Sequence, residues 1–120
     1  MNIVINKSSK ERTRDQVVRQ VRAAVASGEL VGSDRLPSAA DVAWEQGVAK
    51  AAIQIAYQDL MLMGILERYH GDGPLVCLGC EDECRDRYRA EIVARLCEVV
   101  AEAEAAGMTV DEILVEAQQS

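Results

Sequence analysis

Apolar residues recur at helical spacing along most of this chain, separated by glycines and by residues that favour helix starts. Residues 17–25 form the first apolar set, and Gly28 follows it. Thr13 and Gln16 precede the set at the spacing of a capping box, in which each side chain bonds the other residue's backbone amide. The pattern predicts a first helix that begins near Thr13 and ends at Gly28.

Residues 34–64 contain the two helices around which the rest of the chain is organised. Ser38 is a good helix N-cap, and Pro37 before it keeps the helix from extending backwards. Gly47 is a natural left-handed end for this helix. A second apolar set follows at helical spacing and comprises Ala52, Ile53, Ala56, Tyr57, Leu60 and Met63. Helix, glycine turn and helix within about 25 residues predict a helix-turn-helix.

Two short segments at 65–69 and 75–78 flank a glycine-rich tip, which predicts a β-hairpin. A hairpin directly after a helix-turn-helix is the winged-helix arrangement, in which the hairpin forms the wing. The predicted fold class is mainly α with this small β-hairpin. We expect a flexible N-terminal lead over 1–10, a winged helix-turn-helix domain over 11–78 and a two-helix dimerisation appendage over 79–120.

The C-terminal appendage has a long helix that ends at Gly107 and a short last helix. Thr109 and Glu112 form a capping box for the last helix. Apolar residues form a stripe along one face of the appendage, and about 40 residues are too few to bury that stripe alone. We therefore expect the stripe to be buried against a second copy of the chain. The alternative is that the appendage folds back onto the first domain. The predicted dimer interface consists of Ile92, Leu96, Val99, Val100, Ala103, Ile113 and Leu114.

Composition narrows the class of protein. Phe is absent and aromatic residues make up 3% of the chain, which favours an aliphatic helical core. No apolar run approaches the ~20 residues that cross a bilayer, and no signal-peptide pattern opens the chain, so a cytoplasmic protein without a membrane partner is expected. Net charge is −7, but residues 1–70 hold nine basic and eight acidic residues, whereas 71–120 hold four and twelve. The acidity therefore lies mainly in the C-terminal part.

Several short sequence motifs, in the same order along residues 15–76, resemble the DNA-binding domain of the GntR family of bacterial transcription regulators. They are AAVASGEL at 23–30, DRLPS at 34–38, GV at 47–48, YQDLMLMGILE at 57–67 and GDG at 71–73. The short two-helix tail resembles that of the YtrA-like subfamily, in which the tail dimerises the protein. The resemblance implies a homodimer that binds double-stranded DNA and needs no cofactor.

The resemblance also implies particular DNA contacts. In the family the arginine of the DRLPS motif contacts DNA, and in this chain that arginine is Arg35. The alternative role for Arg35 is a surface ion pair with Asp34 or Asp41. Ser38 caps its helix and can also face a phosphate. Lys50 is the charge that the recognition helix keeps, and Gln54 keeps an amide that can read adenine. The wing would contribute His70, Gly71 and Gly73.

The recognition helix departs from the family pattern. Relatives usually carry a Ser-Arg-Asn-Thr run where this chain has Ala49, Lys50, Ala51 and Ala52. Two functions stay open: a DNA-binding regulator supported by the basic lead, and a GntR-derived protein-interaction module with weakened or lost DNA binding. Trp44 and Ile55 stand at positions that are usually polar in relatives. Exposed, they would form an apolar patch that favours the interaction module; the alternative is that they pack onto the appendage or a neighbouring helix. The basic lead consists of Lys7, Lys10, Arg12 and Arg14.

The four cysteines are not explained by the resemblance. Cys77, Cys80 and Cys84 follow the wing as C-x2-C-x3-C, and Cys97 lies in the long helix. Thiolates at this spacing could form a metal knuckle for zinc or another thiolate-bound metal, with His70 or Cys97 as fourth ligand, and could respond to redox change. The alternative is that they are small buried apolar residues. No enzyme motif is present, so we expect no catalytic activity.

Overall fold

The computed structural model describes residues 1–68 and 73–119 of this chain and contains two compact units, residues 1–88 and 89–120. Over the described residues the first unit carries three helices, a hairpin and the start of a fourth helix. The helices are α1 (Thr13–Ser27), α2 (Ala39–Gln46), α3 (Lys50–Leu62), α4 (Glu81–Ala105) and α5 (Val110–Gln119), and the strands are β1 (Leu66–Glu67) and β2 (Leu75–Val76). The predicted fold class is confirmed. The domain boundary after residue 78 stays a prediction.

The helix-turn-helix is built from the local signals that predicted it. Ser38 has extended backbone angles, and its hydroxyl oxygen accepts the Asp41 N–H at 3.1 Å. Gly47 ends α2 with φ of 64°, a left-handed conformation that glycine adopts without the steric cost of a side chain. The chain can therefore turn sharply into α3, whose N-cap residue is Ala49.

The capping box predicted for α1 is wrong. Arg12 is the N-cap residue of α1, and no side chain caps the helix there. Gln16 is instead buried, because its side chain bonds the main chain that precedes the helix. Its amide oxygen accepts the Asn6 N–H at 2.9 Å, and its nitrogen donates to the carbonyls of Asn6 at 3.0 Å and Glu11 at 2.8 Å.

The N-terminal segment packs on the first unit, a contact that the predicted flexible lead did not anticipate. Ile3 and Ile5 are buried in the core. The Val4 and Ile5 amides donate at 3.0 Å to the side-chain oxygens of Gln20 on α1 and Gln46 on α2. Alternate residues of this extended segment thus point into the core, and its backbone is satisfied by glutamines.

The core of the first unit is aliphatic, as the absence of Phe predicted. Helix α3 packs against α1, α2 and β1. An ion pair also joins α1 to α3, since Arg14 bonds both carboxylate oxygens of Asp59 at 2.6 and 3.2 Å. The hydrogen bond to Asp59 raises the pKa of Arg14. The largest fully buried side chains are Leu36, Ile53, Leu60, Ile65, Val17, Val21, Val42 and Val76.

The beginning of α4 belongs to the first unit. Arg87 donates to the Met63 carbonyl at 2.9 Å, and the Arg22 guanidinium lies 4.6 Å from the centre of the Tyr88 ring. Cys84 is buried beside the core. These contacts follow directly after the wing, so the start of α4 is fastened to the domain that carries the helix-turn-helix.

The second unit contains the rest of α4 and α5, and its apolar side chains are half exposed. Gly107 ends α4 with φ of 91°. The predicted capping box is present, since the Thr109 hydroxyl accepts the Glu112 N–H at 3.2 Å and the Glu112 carboxylate accepts the Thr109 N–H at 3.4 Å. Leu96 and Val99 are 54% and 56% exposed. None of the described helices is both long and apolar enough to span a membrane.

Candidate nucleic-acid interface

The segment that carries Arg35 is attached to the wing as an additional short strand. Arg35 pairs with Leu75 in an antiparallel bridge. On either side of that bridge, the Leu36 amide donates to the Pro74 carbonyl at 2.9 Å and the Val76 amide to the Asp34 carbonyl at 2.8 Å. The backbone of Arg35 is therefore held rigidly on the hairpin, and its side chain is exposed.

The wing also fixes the start of α2 by close backbone contact. Gly73 lies against the carbonyl of Leu36, where a Cβ atom would collide with backbone. From the other side, the Tyr57 hydroxyl of α3 donates to the Pro37 carbonyl at 2.7 Å. The Ser38 cap is thus positioned by both the wing and α3. Burial raises the pKa of Tyr57, so its hydroxyl stays protonated as the donor.

Helix α3 presents an exposed polar face, and this face contains both recognition-helix residues predicted from the sequence. Lys50 and Gln54 are exposed, and Gln58 continues the same face one turn further on. The opposite face is buried, with Ile53 and Leu60 fully covered. The helix therefore offers a short row of amides and one ammonium group to a ligand.

Arg68 is a residue that the sequence reasoning missed. It directly follows β1, is exposed, and lies beside α3. Here α3 and Arg68 border a hollow of about 250 Å³, lined by Gln54, Tyr57, Gln58, Met61 and Arg68. A basic residue just before the glycine-rich tip was the available signal, but only the fold shows that it neighbours the recognition helix.

Two of the predicted wing residues, His70 and Gly71, lie outside the described residues. The basic residues of the N-terminal lead have different surroundings in the structure. Arg14 is paired with Asp59, and the Arg12 guanidinium lies 2.9 Å from Asp15. Lys7 lies against the helix-turn-helix turn, with its ammonium nitrogen 2.8 Å from where a Cβ on Gly47 would stand. Of these three, Lys7 is the one that the fold brings to the turn.

The two unusual apolar residues remain on the surface of the chain. Trp44 on α2 is 88% exposed and Ile55 on α3 is 42% exposed. At this exposure, the Trp44 side chain is not packed onto a neighbouring helix. Leu62 at the end of α3 is also 88% exposed.

Two thiols of the cysteine cluster, those of Cys77 and Cys80, have raised pKa values. The Cys80 thiol donates to the Cys77 carbonyl at 3.1 Å. Burial, with a further contribution from the neighbouring Cys84, raises the pKa of Cys80 to about 12, and burial also raises the pKa of Cys77. Cys97 is exposed in the second unit. In the part of the chain that the structure describes, no three His, Cys, Asp or Glu residues are arranged to hold a metal ion.

Comparison with known proteins gives consistent relatives, although no family model matches the chain. The HTH-type transcriptional regulator YhcF of Bacillus subtilis is 28% identical over 101 residues, which cover 82% of this chain and 81% of YhcF. The structure of YtrA from Sulfolobus acidocaldarius, a GntR-family transcription factor, matches with a TM-score of 0.59 and 27% identity over 79% of this chain and 97% of YtrA.

Two further solved structures are similar in fold. A GntR family transcriptional regulator from Listeria monocytogenes matches with a TM-score of 0.74 and 20% identity, covering 97% of this chain and 99% of that one. The AraR DNA-binding domain in complex with operator ORX1 matches with a TM-score of 0.54 and 20% identity, covering 62% of this chain and 94% of that one.

The fold is that of a winged helix-turn-helix protein. It has a capped helix, a glycine turn, a second helix with an exposed polar face, and an antiparallel hairpin. The relatives that share this arrangement are transcription regulators. The chain is a winged helix-turn-helix protein that is similar in sequence to the regulator YhcF. It is also similar in fold to YtrA, a GntR-family transcription factor.

Proposed function

We propose that this regulator binds double-stranded DNA as a homodimer, with α3 of each subunit in a major groove of a near-palindromic site. The observations that carry the proposal are the exposed polar face of α3 and the exposed Arg35, whose backbone is held on the hairpin. The likeness in fold to the AraR domain, whose structure contains an operator, supports it. A protein that acts on chromosomal DNA would work in the cytoplasm, and binding of this kind requires no enzymatic step.

Each predicted DNA residue has a distinct task in this proposal. Lys50 and Gln54 face base edges, where ammonium suits guanine and the amide suits adenine. Arg35 binds the DNA backbone, and the amide end that Ser38 caps can face a phosphate. Gly73 keeps the wing close to α2, and His70 and Gly71 are proposed as wing contacts on the strength of the GntR resemblance.

The proposed dimer interface is the apolar stripe of the second unit. Ile92 and Leu114 on it are 41% and 50% exposed, respectively. Burial of apolar area contributes about 25 cal/mol per Å², so a stripe of this kind favours association with a matching surface. A two-fold dimer would place half-sites roughly one helical turn of DNA, about 34–36 Å, or a multiple of it, apart. The proposed interface residues are Ile92, Leu96, Val99, Val100, Ala103, Ile113 and Leu114.

A salt titration with random-sequence duplex DNA tests the proposal. Fluorescence anisotropy should show affinity that falls steeply between 50 and 200 mM salt, roughly 10³-fold or more if six or more phosphates are neutralised. The double variant Arg35→Ala/Lys50→Ala should lose binding. The control Arg19→Ala/Arg85→Ala removes the same charge from two arginines that pair with the acidic side chains of Glu11 and Asp82, and it should bind nearly as well. Equal loss in both double variants would refute the assigned surface.

The exposed indole favours a second candidate function, in which α2 of the same domain binds a protein partner. Trp44 presents a large apolar surface that the first unit does not cover, and tryptophan is enriched at the energetic centres of protein interfaces. Absence of DNA binding at 50 mM salt, by a chain shown to be folded, would favour this role over the DNA-binding one.

A further inference from the structure

The recognition helix is poor in positive charge for a DNA-binding element. Lys50 is the single basic residue among its 13 residues. Its acidic residue, Asp59, is neutralised by Arg14 of α1, which leaves the exposed face close to neutral. Phosphate neutralisation by Lys and Arg supplies most non-specific affinity for DNA. A DNA-binding surface here therefore needs cations from other elements.

Arg68, which directly follows β1, places a positive charge beside the middle and end of α3. The hollow that it borders is lined by Gln54, Tyr57, Gln58 and Met61, and no carboxylate lies among these lining residues. The Tyr57 hydroxyl already donates to Pro37. The remaining polar groups are a guanidinium and two primary amides, all of which can donate hydrogen bonds. This set of donors suits an anion.

We infer that Arg68 and Gln58 together bind a backbone phosphate of the DNA whose major groove α3 enters. The inference rests on the proposed function, since it concerns the same surface. Gln58 lies eight residues beyond Lys50, which is about 12 Å along a helix at 1.5 Å per residue. The major groove is also about 12 Å wide. If the first turn of α3 faces base edges, the turn beside Arg68 lies at the level of the bordering phosphates.

The inferred contact is a clamp that holds α3 in register without reading sequence. Phosphate contacts fix orientation on the duplex, whereas base-edge contacts specify sequence. Arginine can bond a phosphate through two N–H groups, and the Gln58 amide adds a third donor. Arg68 would in this way offset the absence of the basic residues that relatives carry at the start of the recognition helix.

The test compares Arg68→Ala with wild type on two duplexes, one of random sequence and one selected from a random pool by wild-type protein. One lost phosphate contact reduces the slope of log K against log salt by about 0.9, which corresponds to about eightfold weaker binding at 0.1 M salt. We expect the same factor on both duplexes. Arg68→Lys should keep the wild-type slope, and Arg19→Ala, on α1, should leave both affinities unchanged.

Three results would overturn the inference. A loss confined to the selected duplex would make Arg68 a base-reading residue, and an unchanged slope would remove it from the DNA surface. If wild-type protein bound neither duplex at 50 mM salt, the proposed function and this inference would both fail. Arg68→Gln provides a second charge-removing variant, and thermal unfolding of each variant shows whether the domain is intact.

Discussion

Gln16 shows how one polar side chain can organise a segment distant in sequence from the site. It is 3% exposed and makes three hydrogen bonds to the main chain of Asn6 and Glu11. A buried amide needs such partners, because an unsatisfied buried polar group costs about 1–3 kcal/mol. The N-terminal segment is therefore held on the core, and Lys7 within it reaches the helix-turn-helix turn.

Replacing Gln16 should destabilise the domain more than replacing its neighbour Gln20. Gln16→Ala leaves the Asn6 amide and two carbonyls without their partner, so we expect a loss of about 1–3 kcal/mol in the free energy of unfolding. Gln20 bonds Val4 in an exposed setting where water can replace it, so Gln20→Ala should cost less. Urea denaturation followed by circular dichroism measures both. Equal losses would contradict the satisfied-amide explanation.

Cys80 should be an unreactive thiol in the native protein. Burial raises its pKa from 9.0 to about 12, and only the thiolate reacts with iodoacetamide. Alkylation at pH 8 should therefore be much slower in the native chain than in urea, as measured by mass spectrometry of the Cys80 peptide. The raised pKa favours the folded state below pH 9, and this contribution is lost as the pH rises through 12. Equal alkylation rates in the two conditions would show that the thiol is accessible and ionised.

At the scale of elements, hydrogen bonds and close packing join the wing to the helix-turn-helix. Residues 34–36 extend the hairpin through backbone hydrogen bonds to 74–76. Gly73 fits where no side chain would, and Tyr57 ties α3 to the same segment. Arg35, Arg68 and the polar face of α3 are consequently displayed on elements that support one another, as a precise binding surface requires.

Gly73→Ala should loosen this assembly. The added Cβ would collide with the Leu36 backbone, which cannot move aside as a flexible side chain can. We expect a destabilisation of about 1–3 kcal/mol, as for overpacked sites, measured by thermal unfolding, together with weaker DNA binding. Leu78→Ala changes an exposed residue close to the hairpin and serves as the control, with little effect expected. A Gly73→Ala variant as stable as wild type would mean that the wing can shift away without cost.

At the scale of the whole molecule, charge is divided along the chain. Residues 1–70 are close to neutral, whereas 71–120 carry most of the acidic excess. An acidic surface is repelled by DNA, so we propose that the acidic tail serves dimerisation and not DNA contact. The half-exposed apolar side chains of α4 and α5 are the feature that a second copy would cover.

Leu96→Glu should convert the proposed dimer to monomer. A carboxylate placed in an apolar interface loses its hydration without gaining a partner, which costs several kcal/mol. Sedimentation velocity at micromolar concentration should show a dimer for wild type and a monomer for the variant. DNA affinity should fall as well, because the two half-sites are no longer bound by one particle. Glu98→Gln, on the same helix, should remain dimeric. A monomeric wild type would refute the interface.

The features that could be predicted were those encoded by nearby residues. Ser38, Gly47 and Gly107 act within one or two turns of chain, and the hairpin follows from two short segments around a glycine-rich tip. The misassigned Gln16 shows the opposite case. A capping box has the same local spacing as a glutamine that reaches into a fold, and only the position of Asn6 separates the two.

The sequence by itself determined the order of helices, turn and hairpin in this protein, and with it the resemblance to the GntR family, because hydrophobic period, caps and glycines act locally. Only the tertiary structure decided which charges are free to serve DNA. Arg14 is taken up by Asp59, 45 positions away in sequence. Arg68 comes to lie beside Gln54 and Gln58 because the chain reverses direction after α3. Contacts of this kind depend on how the elements pack, and no local pattern encodes them.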